Sequence, residues 1–133
     1  MKFSTRTTYG LRGMIQLAKN WEQGSMSLAS IAKQEKISQG YLERLFAKLK
    51  KANLVIAEKG STGGYALAIS PSKINIFDIV KTLEGKMTPF YCLSENGKIY
   101  CDAKCGCGAT KVLAKVQQAV NSTLRSMTLN DLF

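Results

Sequence analysis

Histidine is absent from all 133 residues. Its absence removes Ser-His-Asp and Cys-His nucleophile pairs and every zinc site that relies on imidazole, so few common enzyme plans survive. Long apolar runs are missing as well. No window reaches the roughly 18 consecutive apolar residues of a membrane span, and the opening MKFSTRTTYGLRGMIQLAKN has no continuous apolar h-region. A cytoplasmic location with no membrane partner is expected. Acidic residues are scarce: nine stand against 19 Lys and Arg, a net charge of +10. The excess is uneven, with 11 bases and four acids in residues 1–60 (+7) and eight bases and five acids in residues 61–133 (+3). A field of that kind suits phosphate backbones, although a basic surface alone does not establish one. There is no internal repeat, low-complexity tract or separate linker. The length fits one domain, or one small domain with an extension, and 45% apolar content is enough for a packed core.

The stretch SLASIAKQEKISQGYLERLFAKLKK, Ser27 to Lys51, reads as a helix, a tight turn and a second helix. Ser27 is placed as N-cap, and Leu28, Ile31 and Ala32 fall at i, i+3 and i+4. Ser38 caps the second helix, whose apolar stripe is Leu42, Leu45, Phe46 and Leu49. Gln39, Gly40, Glu43 and Arg44 are left facing away from the core. These are the positions with which a helix-turn-helix reads base edges.

Before this motif, Leu11, Met14, Ile15, Ala18 and Trp21 share one face of a helix from Thr5 to Trp21, which leaves Arg6 and Arg12 to solvent or DNA. After it, LVIAE, KGSTGG and YALAI read as strand, glycine-rich tip and returning strand, a β-hairpin wing. The tip lacks a Gly-Lys-Ser/Thr ending and no helix follows it, which argues against a nucleotide loop. Lys59, Ser61 and Thr62 could instead lie along or within a minor groove; an ordinary hairpin turn is the alternative. Asn75 caps a mostly buried helix of Ile76, Phe77, Ile79, Val80 and Leu83 that ends before Gly85. From Ala109 to about Met127, Val112, Leu113, Val116, Val120 and Leu124 form an apolar face that no later segment can cover, so a partner subunit is expected there. Thr128 caps a last helical turn.

Cys92, Cys101, Cys105 and Cys107 lie within sixteen residues, in an irregular loop rich in Gly, Asn, Asp and Lys. Clustered thiols in a reducing compartment point to metal or redox chemistry sooner than to structural disulfides, with free thiols as the alternative.

The order of these pieces, with YGLRGMIQLA, the YLE of the motif, KGSTGGYALA and a cysteine loop leading into a long helix, resembles the Rrf-two family of bacterial winged-helix regulators over essentially the whole chain. The resemblance implies a mainly α fold with a small β-hairpin: a winged helix-turn-helix domain over 1–84, a cysteine-bearing sensor loop over 85–108, and a dimerisation helix with a C-terminal turn over 109–133. It implies a homodimer whose recognition helices sit about 34 Å apart on palindromic double-stranded DNA. It maps the base-reading surface to Ser38, Gln39, Tyr41, Glu43 and Arg44, with Lys59 on the wing. Glu43 can accept from cytosine N4 or can simply be an exposed residue pairing with a neighbouring base. Tyr41 can read or can pack beside Leu42 and Leu45.

In cluster-binding members three loop cysteines hold an iron–sulfur centre, and Cys92, Cys101 and Cys107 fit that pattern. The position where some members supply a histidine is Thr110 here, and the position where others supply a carboxylate from the partner's first helix is Thr8. Cys105 is the simplest fourth ligand. An all-thiolate set suits an iron–sulfur cluster, 2Fe–2S ahead of 4Fe–4S, with zinc as the alternative. The expectation is therefore a non-enzymatic transcription regulator, a repressor, whose DNA affinity depends on the cluster. The alternatives are a cluster-free regulator that senses through zinc, thiol redox or a partner protein, and a small iron–sulfur redox protein.

Overall fold

The computed structural model describes residues 3–60, 63–87, 93–98 and 108–133. Helix α1, Thr5–Lys19, packs on α4, Ile76–Glu84, and on α3, Gln39–Lys51. Between α1 and α3 lies α2, Leu28–Glu35, and after α3 come β1, Val55–Glu58, and β2, Gly64–Leu67. Helix α5, Gly108–Arg125, lies against α4. The core joins Met14 and Leu17 of α1, Ile31 of α2, Leu42, Leu45, Phe46 and Leu49 of α3, and Ile79, Val80 and Leu83 of α4.

Two glycines of α1 set how closely its neighbours approach. A Cβ on Gly13 would stand 2.8 Å from the Phe46 ring, and one on Gly10 would stand 2.3 Å from a Leu83 methyl. The buried residues of α1 are Thr7, Gly10, Gly13, Met14, Leu17 and Ala18. Of the expected stripe, Met14 and Ala18 are buried and Leu11 and Ile15 pack against the core, whereas the helix stops at Lys19 and Trp21 stands in a short 3-10 turn, 38% exposed. The smallest of the buried residues carry little hydropathic signal, yet they are the ones that let α3 and α4 close in.

The two strands pair antiparallel from Val55↔Leu67 to Glu58↔Gly64, and an isolated bridge joins Met26 to Tyr65. The wing is therefore tied back to the segment that leads into α2. A Cβ on Gly64 would lie 2.1 Å from the Met26 carbonyl oxygen, so glycine permits this backbone contact. Asn75 caps α4 by accepting from the Phe77 N–H, and its side-chain amide donates to the Arg125 carbonyl at 2.8 Å, joining the ends of α4 and α5. Leu129 is fully buried in the closing turn, where Thr128 and Asp131 form a capping box.

Two carboxylates fix α1 to its neighbours. Glu84 accepts from the Ser4 N–H at 2.8 Å, from the Ser4 hydroxyl at 2.7 Å and from the Thr7 hydroxyl, with Arg6 at 3.8 Å. Glu35 accepts from Gln16 at 3.0 Å and pairs with Arg12 at 3.1 Å, while Arg12 also donates to the Glu35 carbonyl. Arg6 and Arg12 thus have acidic partners, contrary to the expectation that both are left to solvent or DNA.

Burial pushes the Glu84 carboxyl up, but the donors from Thr7 and Ser4 and the nearby Arg6 charge outweigh it and hold its pKa below the usual carboxylate range. The Gln16 amide leads in lowering Glu35, helped by Arg12 against the opposing effect of burial. A lowered native pKa stabilises the fold fully above the usual glutamate value of about 4.3. That stability is lost as the pH falls through the lower native value. The urea midpoint should therefore drop on acidification below about pH 4.3. Glu84→Gln should lose roughly 1–2 kcal/mol at neutral pH and show a shallower acid limb. Denaturant titrations across pH check both.

Candidate nucleic-acid interface

The turn between α2 and α3 is short because Lys36 takes a left-handed backbone conformation (φ 55°) as C-cap, which lets Ile37 drop into the core at 8% exposure. Ser38 then caps α3 by accepting from the Tyr41 N–H. With Leu42, Leu45, Phe46 and Leu49 buried, Gln39, Gly40, Glu43 and Arg44 are all exposed on the opposite face. The apolar stripe alone decides which residues of the first two turns meet solvent.

These side chains carry different chemistry. Gln39 donates to the Glu43 carboxylate at 3.4 Å, and among the described ion pairs neither Glu43 nor Arg44 takes part. Arg44 thus offers its guanidinium, and the Gln39 amide sits beside the Glu43 acceptor. Tyr41 differs: it is half-buried, its ring meets Tyr9 edge-on at 5.8 Å, and its hydroxyl lies 3.4 Å from the Thr5 hydroxyl. These contacts hold the ring against α1. Lys33 and Lys36, unassigned by the motif pattern, are exposed along α2 and its cap and add charge beside the start of α3. Their signal lay in the basic excess of residues 1–60.

On the wing, Lys59 is exposed at the end of β1 and Gly60 takes φ 114°. Ser61 and Thr62 lie outside the described residues, as do Cys92, Cys101, Cys105 and Cys107. Among the described residues no group of three or more His, Cys, Asp or Glu is placed to hold a metal ion. Thr8 is exposed, and Thr110 is buried in the first turn of α5. The described segment between the first two cysteines is a tight turn: Leu93 is 2% exposed, and Gly97 N–H donates to the Ser94 carbonyl at 3.0 Å.

Helix α5 turns Thr110, Gln117 and Asn121 inward and leaves Val112 61% and Val116 38% exposed. Leu113 and Val120 are half-buried beside them, while Leu124 packs on the core. No described helix is long and apolar enough to cross a membrane.

A family model described as Rrf2, iron-dependent transcriptional regulator, matches residues 3–133. The chain belongs to the Rrf2 family. It is a DNA-binding transcriptional regulator with the winged-helix fold of that family, and not an enzyme. The HTH-type transcriptional regulator CymR of Bacillus subtilis is 37% identical to it over 132 residues, 99% of this chain and 89% of CymR. IscR of Aliivibrio salmonicida is 29% identical over 99% of this chain and 77% of its own length. Among solved structures, CymR (YrzC), the global cysteine regulator of B. subtilis, superposes with a TM-score of 0.85 at 36% identity, covering 99% of this chain and 95% of that one. T. potens IscR gives 0.79 at 36% identity, covering 99% and 85%. This Rrf2 chain therefore resembles both a cysteine regulator and IscR-type regulators.

The two kinds of exposed cation on this Rrf2 surface should be separable by substitution. Arg44→Ala should cost about 1–3 kcal/mol on operator DNA and reduce discrimination against random DNA, as expected for a base contact. Lys59→Ala should weaken both about equally and reduce the salt slope by about 1, as expected for a phosphate contact. Fluorescence anisotropy on both duplexes over a salt series checks the split.

Proposed function

We propose that the protein is a homodimeric repressor that reads a palindromic operator with Gln39, Gly40, Glu43 and Arg44 at the start of α3, aided by Ser38 and Tyr41 and by the wing at Lys59, Ser61 and Thr62. The observation that carries the reading is the division of α3: one face is sealed in the core while its first two turns present an amide, a carboxylate and a guanidinium to solvent. Glu43 accepts from cytosine N4 and repels phosphate, so it penalises sites without that donor. The second half of the reading rests on α5, whose exposed Val112 and Val116 supply an apolar stripe for the α5 of a second copy. In the proposed division of labour, residues 1–84 bind DNA, 85–108 sense and 109–133 dimerise.

The sensor is the cysteine segment. Four thiols in sixteen residues of a chain without histidine form a soft, all-sulfur donor set, which fits an iron–sulfur cluster or zinc and not a hard cation. Cys92, Cys101 and Cys107 would hold a 2Fe–2S cluster with Cys105 as the fourth ligand, zinc being the alternative. Such a group would supply redox or ligand-loss chemistry at the thiolates. The chain's own contribution is mechanical. The turn at 93–98 is joined to α4 by the Glu95–Lys81 pair at 3.4 Å, to the segment after α4 by the Met87 N–H that Glu95 accepts, and to α5 by Gln117, which donates to the Ser94 carbonyl at 2.7 Å. A change at the cysteines thus reaches both the helix that supports α1 and α3 and the helix proposed to dimerise. The relation to CymR, a cysteine regulator, favours a second reading in which the thiols or a partner protein carry the signal without a cluster.

Anaerobic purification with iron, sulfide and zinc analysis, followed by operator titration of loaded and stripped protein, tests the first reading. It predicts matched iron and sulfide and a change in operator affinity of roughly 5- to 150-fold. Metal-free protein even after anaerobic reconstitution, with unaltered operator affinity, selects the second.

A further inference from the structure

Between the turn at Glu95–Gly97 and the inward flank of α5 lies a cleft of about 380 Å3, lined by Ala114, Gln117, Gln118, Asn121, Ser122 and Arg125 on the helix side. One buried polar atom on its helix side is left without a hydrogen-bond partner among the described residues. Gln117 is 3% exposed, and while its Nε2 donates to the Ser94 carbonyl, its Oε1 is buried without a partner. A buried acceptor left without a donor destabilises the fold, so a ligand that donates to it recovers that cost. Asn121 is 8% exposed, and its side-chain amide makes no hydrogen bond among the described residues.

The two ends of the cleft carry opposite charge. At one end stands the Glu95 carboxylate, whose pKa is lowered chiefly by the Met87 N–H and further by the neighbouring Lys81 and Lys86. At the other end stands Arg125, its guanidinium held 4.0 Å over the Phe77 ring and its backbone carbonyl bound by Asn75. A cation, an anion and, between them, one unpartnered amide oxygen and the Asn121 amide describe a site for a small dipolar solute. Helical geometry also keeps the cleft clear of the proposed dimer surface. At 100° per residue, Ala114, Gln118, Asn121, Ser122 and Arg125 fall on one side of Gln117, and Val112, Val116 and Val120 fall on the other.

We propose that this cleft binds a free amino acid, with its ammonium donating to Gln117 Oε1 on the Glu95 side and its carboxylate held by Arg125 and the Asn121 amide. The bound molecule bridges α5 to the turn between Cys92 and Cys101, since Gln117 already holds that turn through Ser94. It therefore acts as an effector of the sensor segment.

The test is calorimetric titration of the full chain, without DNA, with each of the twenty amino acids at millimolar concentration. One or a few should bind, while the N-acetyl and methyl-ester derivatives of the same amino acid, each lacking one charge, should not. Gln117→Met should weaken that binding roughly ten- to a hundredfold, and Arg125→Gln, which removes the cation and leaves the Gln117–Ser94 bond in place, should weaken it likewise. No binding by any amino acid, or equal binding of the charge-blocked derivatives, overturns the proposal, and the derivative comparison needs no variant to fold. Because DNA is absent, failure here is distinct from failure of the operator reading.

Discussion

The seating of α3 on α1 is the contact on which the rest of the structure depends. Gly13 gives the Phe46 ring its place, and Leu42, Leu45 and Leu49 continue the same seam into the core. Because this face is sealed, the opposite face of α3 has only one possible orientation, and Gln39, Glu43 and Arg44 inherit it. Interiors are close-packed, so a larger residue at position 13 would push Phe46 and tilt the reading surface with it. The orientation of the proposed reading surface is thus a consequence of core packing. The wing follows the same logic, since the Gly64 contact with Met26 ties the hairpin to the lead-in of α2.

Helix α5 inverts the usual arrangement for a surface helix. Its inward flank carries Thr110, Gln117 and Asn121, and its outward flank carries Val112 and Val116. An apolar outer stripe is costly for an isolated chain and ordinary for a subunit. The polar inner flank is costly as well, because buried amides demand partners. Gln117 has satisfied only half of its demand through Ser94, which leaves the cleft beside it chemically unsaturated. The two unusual faces of one helix thus point to two different associations, one with a second copy and one with a small solute. The turn at 93–98, flanked in sequence by Cys92 and Cys101, is bonded to both α4 and α5.

Much of this was legible in the sequence because the signals were periodic. The Ser27 and Ser38 caps, the α3 stripe, the hairpin from LVIAE to YALAI, the Asn75 cap and the uncovered stripe of α5 all follow from spacing and local hydrogen-bond chemistry. Spacing marks the core-facing side of α1 through Leu11, Met14, Ile15 and Ala18 but not Gly10 and Gly13, whose value lies in the size of their neighbours, and it runs the helix on to Trp21, which stands in a separate turn. The acidic partners of Arg6 and Arg12 are beyond the reach of local pattern for a related reason, since Glu84 is 78 residues from Arg6 and Glu35 is 23 from Arg12. The inward amides of α5 escaped notice because a polar residue among apolar ones reads as solvent-facing until a neighbour is known. The cysteine segment has no period at all, so its thiols were legible as a donor set and not as a shape.

The central claim is that two copies of α3 read DNA as a pair. Selecting binding sites from a pool of random duplexes with the purified protein tests it most directly. The account predicts an inverted repeat whose half-site centres lie one helical turn, about 10 base pairs, apart. A single unrepeated site, or half-sites indifferent to their spacing, would contradict it.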